Sequence, residues 1–331
     1  MKEILLLFLL GFSISGCYGR EPVVPPPGAV QFMVYFNASP RSICVGVLVS
    51  RMAVLTACVC VVNVDGPPDT RPINVIVGTH YRHDMRGVRV QVTKIVTPHL
   101  PGFEKMGTRA YFMQKSVALL LLRRKIPDVL TEEPPRAIAI DYKGEDKLDL
   151  QDECLMLGWH FFYTGDKIYP GPKYILQRNL RLQQLNYVNK EVYCDTLVLK
   201  YEKATDDLGN TKEFLKDDVL CFRDTDYTAQ PCHAMFGAPV ICGSGRVIGM
   251  LMAPDAQWTN CTGYSVLAHL ISNVRNTRFF ECVNPLFEPE VVINWALVKQ
   301  NRLLMNDEAA VIKSMYDGFI TDFSSSSEND Y

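Results

Sequence analysis

Between residues 31 and about 250 the chain is cut into short β-branched or aromatic runs separated by turn residues. This pattern leaves few folds open. Residues 30–36, 45–49, 74–77 and 88–96 are such runs, with Asp65-Gly66-Pro67-Pro68 and His83-Asp84 between them. β-Branched and aromatic side chains suit a pleated, half-buried surface, whereas Gly, Pro and Asp interrupt it. Residues 155–162, 174–185, 219–222 and 240–252 continue in the same style. Many short strands with few helical stretches predict an all-β sandwich or barrel architecture. Residues 266–280 read as a helix that closes the domain.

The first 19 residues stand apart. Lys2 precedes an apolar stretch over 4–14, and Ser15, Gly16 and Gly19 follow. This is the pattern of a secretory signal peptide, with cleavage expected after Gly19. Ile14-Ser15-Gly16-Cys17 also fits a bacterial lipoprotein box with Cys17 lipidated. No later apolar run reaches 18 residues, so no membrane-spanning helix is expected. Ten of the eleven cysteines follow Cys17. In an oxidising compartment they read as a disulfide framework, and the localisation expected is secreted and extracellular. Asn37-Ala38-Ser39 and Asn260-Cys261-Thr262 are glycosylation sequons consistent with that compartment. A formal net charge of −2, with no basic stripe standing out, argues against a nucleic-acid binder.

The chain divides accordingly. Residues 20–30 are Pro-rich and read as an extended lead-in. Residues 31–282 form the main domain. Residues 283–331 hold eight acidic and three basic residues, an acidic C-terminal extension with an expected helix over 306–316. Its low-complexity end, 324–331, is expected to be disordered.

Several segments carry a more specific signal. Cys44-Val45-Gly46-Val47-Leu48-Val49 is followed by Val54-Leu55-Thr56-Ala57, and Cys60 lies 16 residues after Cys44. Lys94-Ile95-Val96 precedes Pro98-His99, and Val117-Ala118-Leu119-Leu120 comes later. Cys154-Leu155-Met156-Leu157-Gly158-Trp159 and the stretch from Cys232 to Cys242, with Gly237 and Pro239, complete the series. In this order, over residues 23–280, they resemble the chymotrypsin-like (S1 family) serine proteases. The resemblance implies two six-stranded antiparallel barrels of the chymotrypsin/trypsin-like fold with a C-terminal helix. It also implies four disulfides: Cys44–Cys60, Cys154–Cys242, Cys194–Cys221 and Cys232–Cys261.

Acyl transfer in that family needs a Ser hydroxyl, a His to take its proton and an Asp to hold the His tautomer. By resemblance, Val59 stands in the histidine's place, Ser116 in the aspartate's and Phe236 in the nucleophile's. Ala234 replaces the glycine of the oxyanion hole, and Met235 replaces the acid that pairs with a newly cut N-terminus. Residues 20–40 contain no Ile-Val-Gly-Gly. Gln230 aligns with the base of the specificity pocket, and Met252-Ala253-Pro254 with the segment that pairs with substrate. A proline there has no N–H to donate. The expectation is therefore a protein with no catalytic triad, no metal and no cofactor. His80-x-x-His83, with Asp84 alone as a carboxylate, reads as a solvated turn and not as a calcium loop.

Cys58 and Cys282 are left over from the family bridges. Mutual pairing, free thiols and a link to another chain are all open to them, with mutual pairing or one intermolecular bridge slightly favoured. The resemblance implies an inactive secreted homologue of the insect type, of seminal or immune fluid. Such a protein would bind an extracellular protein partner (a protease, inhibitor or glycoprotein) as cofactor, decoy or regulator. Its filled cleft, around Phe236 and His233, would be an apolar recognition surface. The alternative is a residual hydrolase using Cys58 as nucleophile with His233 as base.

Overall fold

The computed structural model describes residues 28–39, 42–61, 72–80, 87–98, 117–128, 133–149, 152–159, 161–164, 173–176, 181–187, 219–223, 236–254, 265–272 and 274–294. The first half supplies β1 (Met33–Ser39), β2 (Ser42–Ser50), β3 (Ala53–Ala57), β4 (Asn74–Val77), β5 (Val88–Val96) and β6 (Val117–Leu122). They close into a barrel in the order β1-β2-β3-β6-β5-β4. The second half supplies β7 (Glu153–Gly158), β8 (Phe161–Thr164), β9 (Lys173–Leu176), β10 (Arg181–Tyr187), β11 (Val219–Arg223), β12 (Pro239–Cys242), β13 (Arg246–Pro254) and β14 (Ser265–Leu270). A second barrel closes as β10-β11-β14-β13-β12-β7, and β8 pairs with β9 in a separate ribbon. All these pairings are antiparallel. Closure leaves neither six-stranded sheet with an open edge.

Strand periodicity explains which side chains fill the barrels. Val45, Val47 and Val49 alternate along β2 and are buried, as are Val75 and Val77 on β4. Strand β3 is buried at all five positions, the pattern of a strand covered on both faces. The disulfide Cys44–Cys60 lies in the first barrel, and Cys154–Cys242 joins facing positions of β7 and β12 in the second. Cys221 is also disulfide-bonded. Cys194, Cys232 and Cys261 lie outside the described residues.

The two barrels are stitched through main-chain bonds of the segment between them. Ile138 N–H donates to Leu48 O of β2, and Asp141 N–H donates to Val247 O of β13, at 2.9 Å each. The buried Asp141 carboxylate accepts the N–H groups of Glu145 and Asp146, at 3.0 and 2.9 Å. Arg246 then clamps Glu145 and Asp146, at 2.7 Å each. Trp159, fully buried after β7, donates its indole N–H to His80 O at 3.1 Å and meets the Tyr35 ring of β1 edge-on.

Three sequence expectations change. Residues 29–32 form a short helix, where an extended lead-in to residue 30 and a strand-like run from 30 were expected, and Ala29, Val30 and Phe32 are buried. The apolar side chains gain more by closing the first barrel than by remaining in an extended arm. The helix expected over 266–280 begins at Val274 and runs to Val283. Residues 265–270 are strand β14 instead, because that strand must pair with both β11 and β13 to close the second barrel. The packed body also continues past residue 282. Val291 pairs with Ile138, Ile293 N–H donates to Gly245 O at 2.9 Å, and Val283 and Ile293 are buried. The apolar residues of this stretch outweigh its acidic composition. Residues 295–331, including the expected helix and tail, lie outside the described residues. No helix among the described residues is long and apolar enough to cross a membrane.

Candidate functional site: the segment between the barrels

Phe236 begins the turn that enters β12, where main chain from the two barrels meets. Its carbonyl accepts the N–H of Val45, from β2 of the first barrel, at 2.9 Å. Gly237 N–H donates to Leu251 O at 2.9 Å, and Leu251 N–H returns to Ala238 O at 2.7 Å. The same Val45 offers its carbonyl to the buried Thr56 hydroxyl, at 2.7 Å. One residue of β2 therefore holds the turn on one side and strand β3 on the other.

Gly237 is what lets the two barrels approach this closely. Its φ is +81°, a region that L side chains rarely adopt. A Cβ there would lie 2.1 Å from Val45 O and 2.4 Å from Thr56 Oγ1. The sequence marked Gly237 as a motif member but carried no sign of these contacts, which depend on β2 and β3 arriving from nearly 200 residues away.

Phe236 is 6% exposed and belongs to the hydrophobic core. Its ring fills space between packed elements and offers almost no surface. The expectation of a recognition surface built on this ring is therefore not met. A phenyl side chain carries no heteroatom, so this position can neither attack a carbonyl nor exchange a proton.

The other expected positions are less completely placed. Val59 lies in the one-turn helix Cys58–Cys60 that follows β3, and Val61 N–H closes that turn on Cys58 O at 3.0 Å. The Val59 side chain lies outside the described residues, as do Ser116, Gln230, His233, Ala234 and Met235. Asn37 lies on β1 opposite Ile43, with its side chain outside the description, and Asn260 lies outside altogether. Met252, Ala253 and Pro254 end β13, where Pro254 faces Val266 of β14. His83 and Asp84 are outside the described residues, among which no group of three or more His, Cys, Asp or Glu could hold a metal.

The two leftover cysteines do not pair. Cys58 is a free, fully buried thiol, and Cys282 is a free thiol exposed near the end of the helix Val274–Val283. A sulfur enclosed at the end of β3 cannot meet one that faces solvent on a helix beyond the second barrel. Burial pushes the Cys58 thiol up to about 12. Its thiolate fraction at pH 8 is then roughly 1 in 10,000, too small for a working nucleophile. The folded state holds this proton more tightly than the unfolded chain. Its contribution to stability is therefore complete below the ordinary thiol range and is lost as pH rises towards 12.

Alkylation should show this directly. With native protein and iodoacetamide at pH 8, peptide mapping is expected to find Cys282 modified within minutes and Cys58 untouched until denaturant is added. Equal native labelling of both would contradict the burial of Cys58.

Comparison with known proteins follows the same outline. The family model described as Trypsin matches residues 19–271. Granzyme M of Rattus norvegicus is 24% identical over 246 residues, spanning 74% of this chain and 79% of that protein. Among solved structures, the scabies mite inactivated protease paralogue S-D1 superposes with a TM-score of 0.54 at 16% identity. The match covers 82% of this chain and 100% of that one. A structure of GrC superposes with a TM-score of 0.51 at 17% identity, covering 80% and 97%. At these identities the two structures share the fold with this chain.

Proposed function

The chain belongs to the trypsin family, and on that premise we propose that it is a secreted, non-catalytic member that acts by binding an extracellular protein. The observation that carries this reading is Phe236. By alignment Phe236, which has no reactive atom in its side chain, stands in the nucleophile's place; its ring is packed into the core and its carbonyl accepts the Val45 N–H. Support also comes from Val59, which by alignment stands where a proton acceptor is required and cannot accept one. A rigid pair of barrels with lost chemistry remains a scaffold able to present loops to a partner. A cofactor, decoy or regulatory role in an extracellular fluid, seminal or immune, is the form of action this fits.

The residual-hydrolase alternative has little support, because the Cys58 thiol stays protonated at physiological pH. The test uses the mature full-length protein with a fluorophosphonate probe, an iodoacetamide probe and a fluorogenic peptide library. We expect no turnover and no fluorophosphonate labelling, and none after Phe236→Ser, since a hydroxyl without a neighbouring base is not activated. Turnover by the wild type that disappears in Cys58→Ala would establish the alternative. Binding is read separately, by capture from the extracellular fluid of its source followed by titration with the purified partner.

A further inference from the structure

The small net charge of this chain conceals a separation. Residues 28–128 contain 13 basic and 5 acidic residues, whereas residues 129–331 contain 19 basic and 29 acidic. This part of the chain is strongly positive, and five of its cations converge. Arg89 and Lys94 are exposed on β5. Arg123, Arg124 and Lys125 are exposed directly after β6. Strands β5 and β6 are antiparallel neighbours, with Val92 opposite Leu122 and Lys94 opposite Leu121. Arg123 N–H donates to Gln91 O at 2.8 Å, and its guanidinium reaches Gln91 Oε1 at 3.3 Å. Arg89 lies two residues from Gln91, on the same face of β5. Two basic runs about 30 residues apart in sequence therefore form one patch, roughly 16 Å long from Arg89 to Lys94 along the strand.

Nothing in the described structure neutralises this patch. Strands β4, β5 and β6 contain no acidic residue. Among the described residues none of the five cations makes an ion pair. The next acid along the chain, Asp128, is taken by Arg51, which also holds Glu290. Five cations gathered with no counter-charge among the described residues repel one another, and that cost is recovered when a polyanion displaces their counterions.

We propose that this β5–β6 face binds a sulfated polysaccharide. The cations stand on a convex barrel surface, and among the described residues their neighbours offer two large exposed apolar side chains, Ile95 on β5 and Met52, whose carbonyl accepts the Leu122 N–H, and neither is aromatic. A protein interface needs an apolar centre with aromatic anchors, which this face lacks. Single-stranded nucleic acid needs stacking platforms, and neither β5 nor residues 123–125 carry an aromatic residue. A flexible chain of repeating sulfates needs neither, since it is recognised by the number and spacing of cations. The patch is independent of the lost catalytic chemistry and stands whether or not the protein is inactive.

The test is affinity of the mature full chain for heparin, measured by salt elution from immobilised heparin and by titration near 150 mM salt. The variant Arg123→Gln/Arg124→Gln/Lys125→Gln is expected to bind on the order of 100-fold more weakly, at about fivefold per cation. Its circular dichroism and melting should match wild type, because all three side chains are exposed. Lys147→Gln/Arg278→Gln, which removes exposed cations elsewhere, should elute with wild type. Failure of wild type to bind, equal weakening by the two variants, or equal binding to desulfated heparin would overturn the proposal. Stronger binding of polyglutamate than of heparin would overturn it in favour of an acidic protein. Salt-sensitive self-association that uses the patch would overturn it in favour of a second copy.

Discussion

Gly237→Ala is expected to lower the stability of the folded protein by roughly 3–5 kcal/mol. Two costs add. The backbone sits at φ +81°, where a Cβ is strained, and the new carbon would overlap Val45 O and Thr56 Oγ1. None of these atoms can yield cheaply. Val45 is fixed by its N–H bond to Phe236 O, and Thr56 by its hydroxyl bond to Val45 O. Against typical domain stabilities of about 5–15 kcal/mol, that loss is a large share of the folding free energy. Gly243→Ala separates the two costs. Gly243 also has a positive φ, of +26°, but a Cβ there meets nothing within 4 Å. It should cost about 1 kcal/mol. Equilibrium urea unfolding of both variants decides the matter. Equal losses would mean that the turn is not wedged between the barrels as described.

The second large effect concerns the two cross-links. Replacing both cysteines of Cys154–Cys242 with alanine should cost about 4.6 kcal/mol, against about 3.1 kcal/mol for Cys44–Cys60, from the chain entropy released on unfolding. The difference comes from loop length, since the bonds span 88 and 16 residues. The longer bridge encloses most of the second barrel, so its loss frees far more of the unfolded chain. Denaturant titration of the two double variants reads the order. A larger loss from the shorter loop would show that local strain or residual structure, not loop closure, sets their value.

The core strands were the most legible part of the molecule. Residues 45–49, 74–77 and 88–96 read as strands from their β-branched content, and each lies within an observed strand. The trypsin family was legible from the order of Gly46, Cys44, Cys60, Gly158, Trp159 and Pro239 in their segments. Elements whose state is decided by pairing were less so. Residues 265–270 have the composition of a helix start, yet two neighbouring strands recruit them into the barrel. Residues 283–294 have an acidic composition, yet Val291 pairs with Ile138 of the segment between the barrels, Ile293 bonds Gly245 of the second barrel, and Val283 and Ile293 are buried. Cys58 and Cys282 could be counted as leftovers, but their burial could not be read, and burial is what keeps them apart.

By itself the sequence determined the alternation that makes strands, the absence of a reactive atom at Phe236, and the cysteines available for cross-linking. These are properties of single residues or short windows, which local chemistry sets before any tertiary contact forms. The tertiary structure decided which distant residues meet. It placed Val45 on Phe236, set the Gly237 main chain against Thr56, enclosed Cys58, and brought Arg89 and Lys94 beside Arg123–Lys125. Those contacts arise from barrel closure, in which strands dozens of residues apart pair because every internal main-chain N–H and C=O must find a partner.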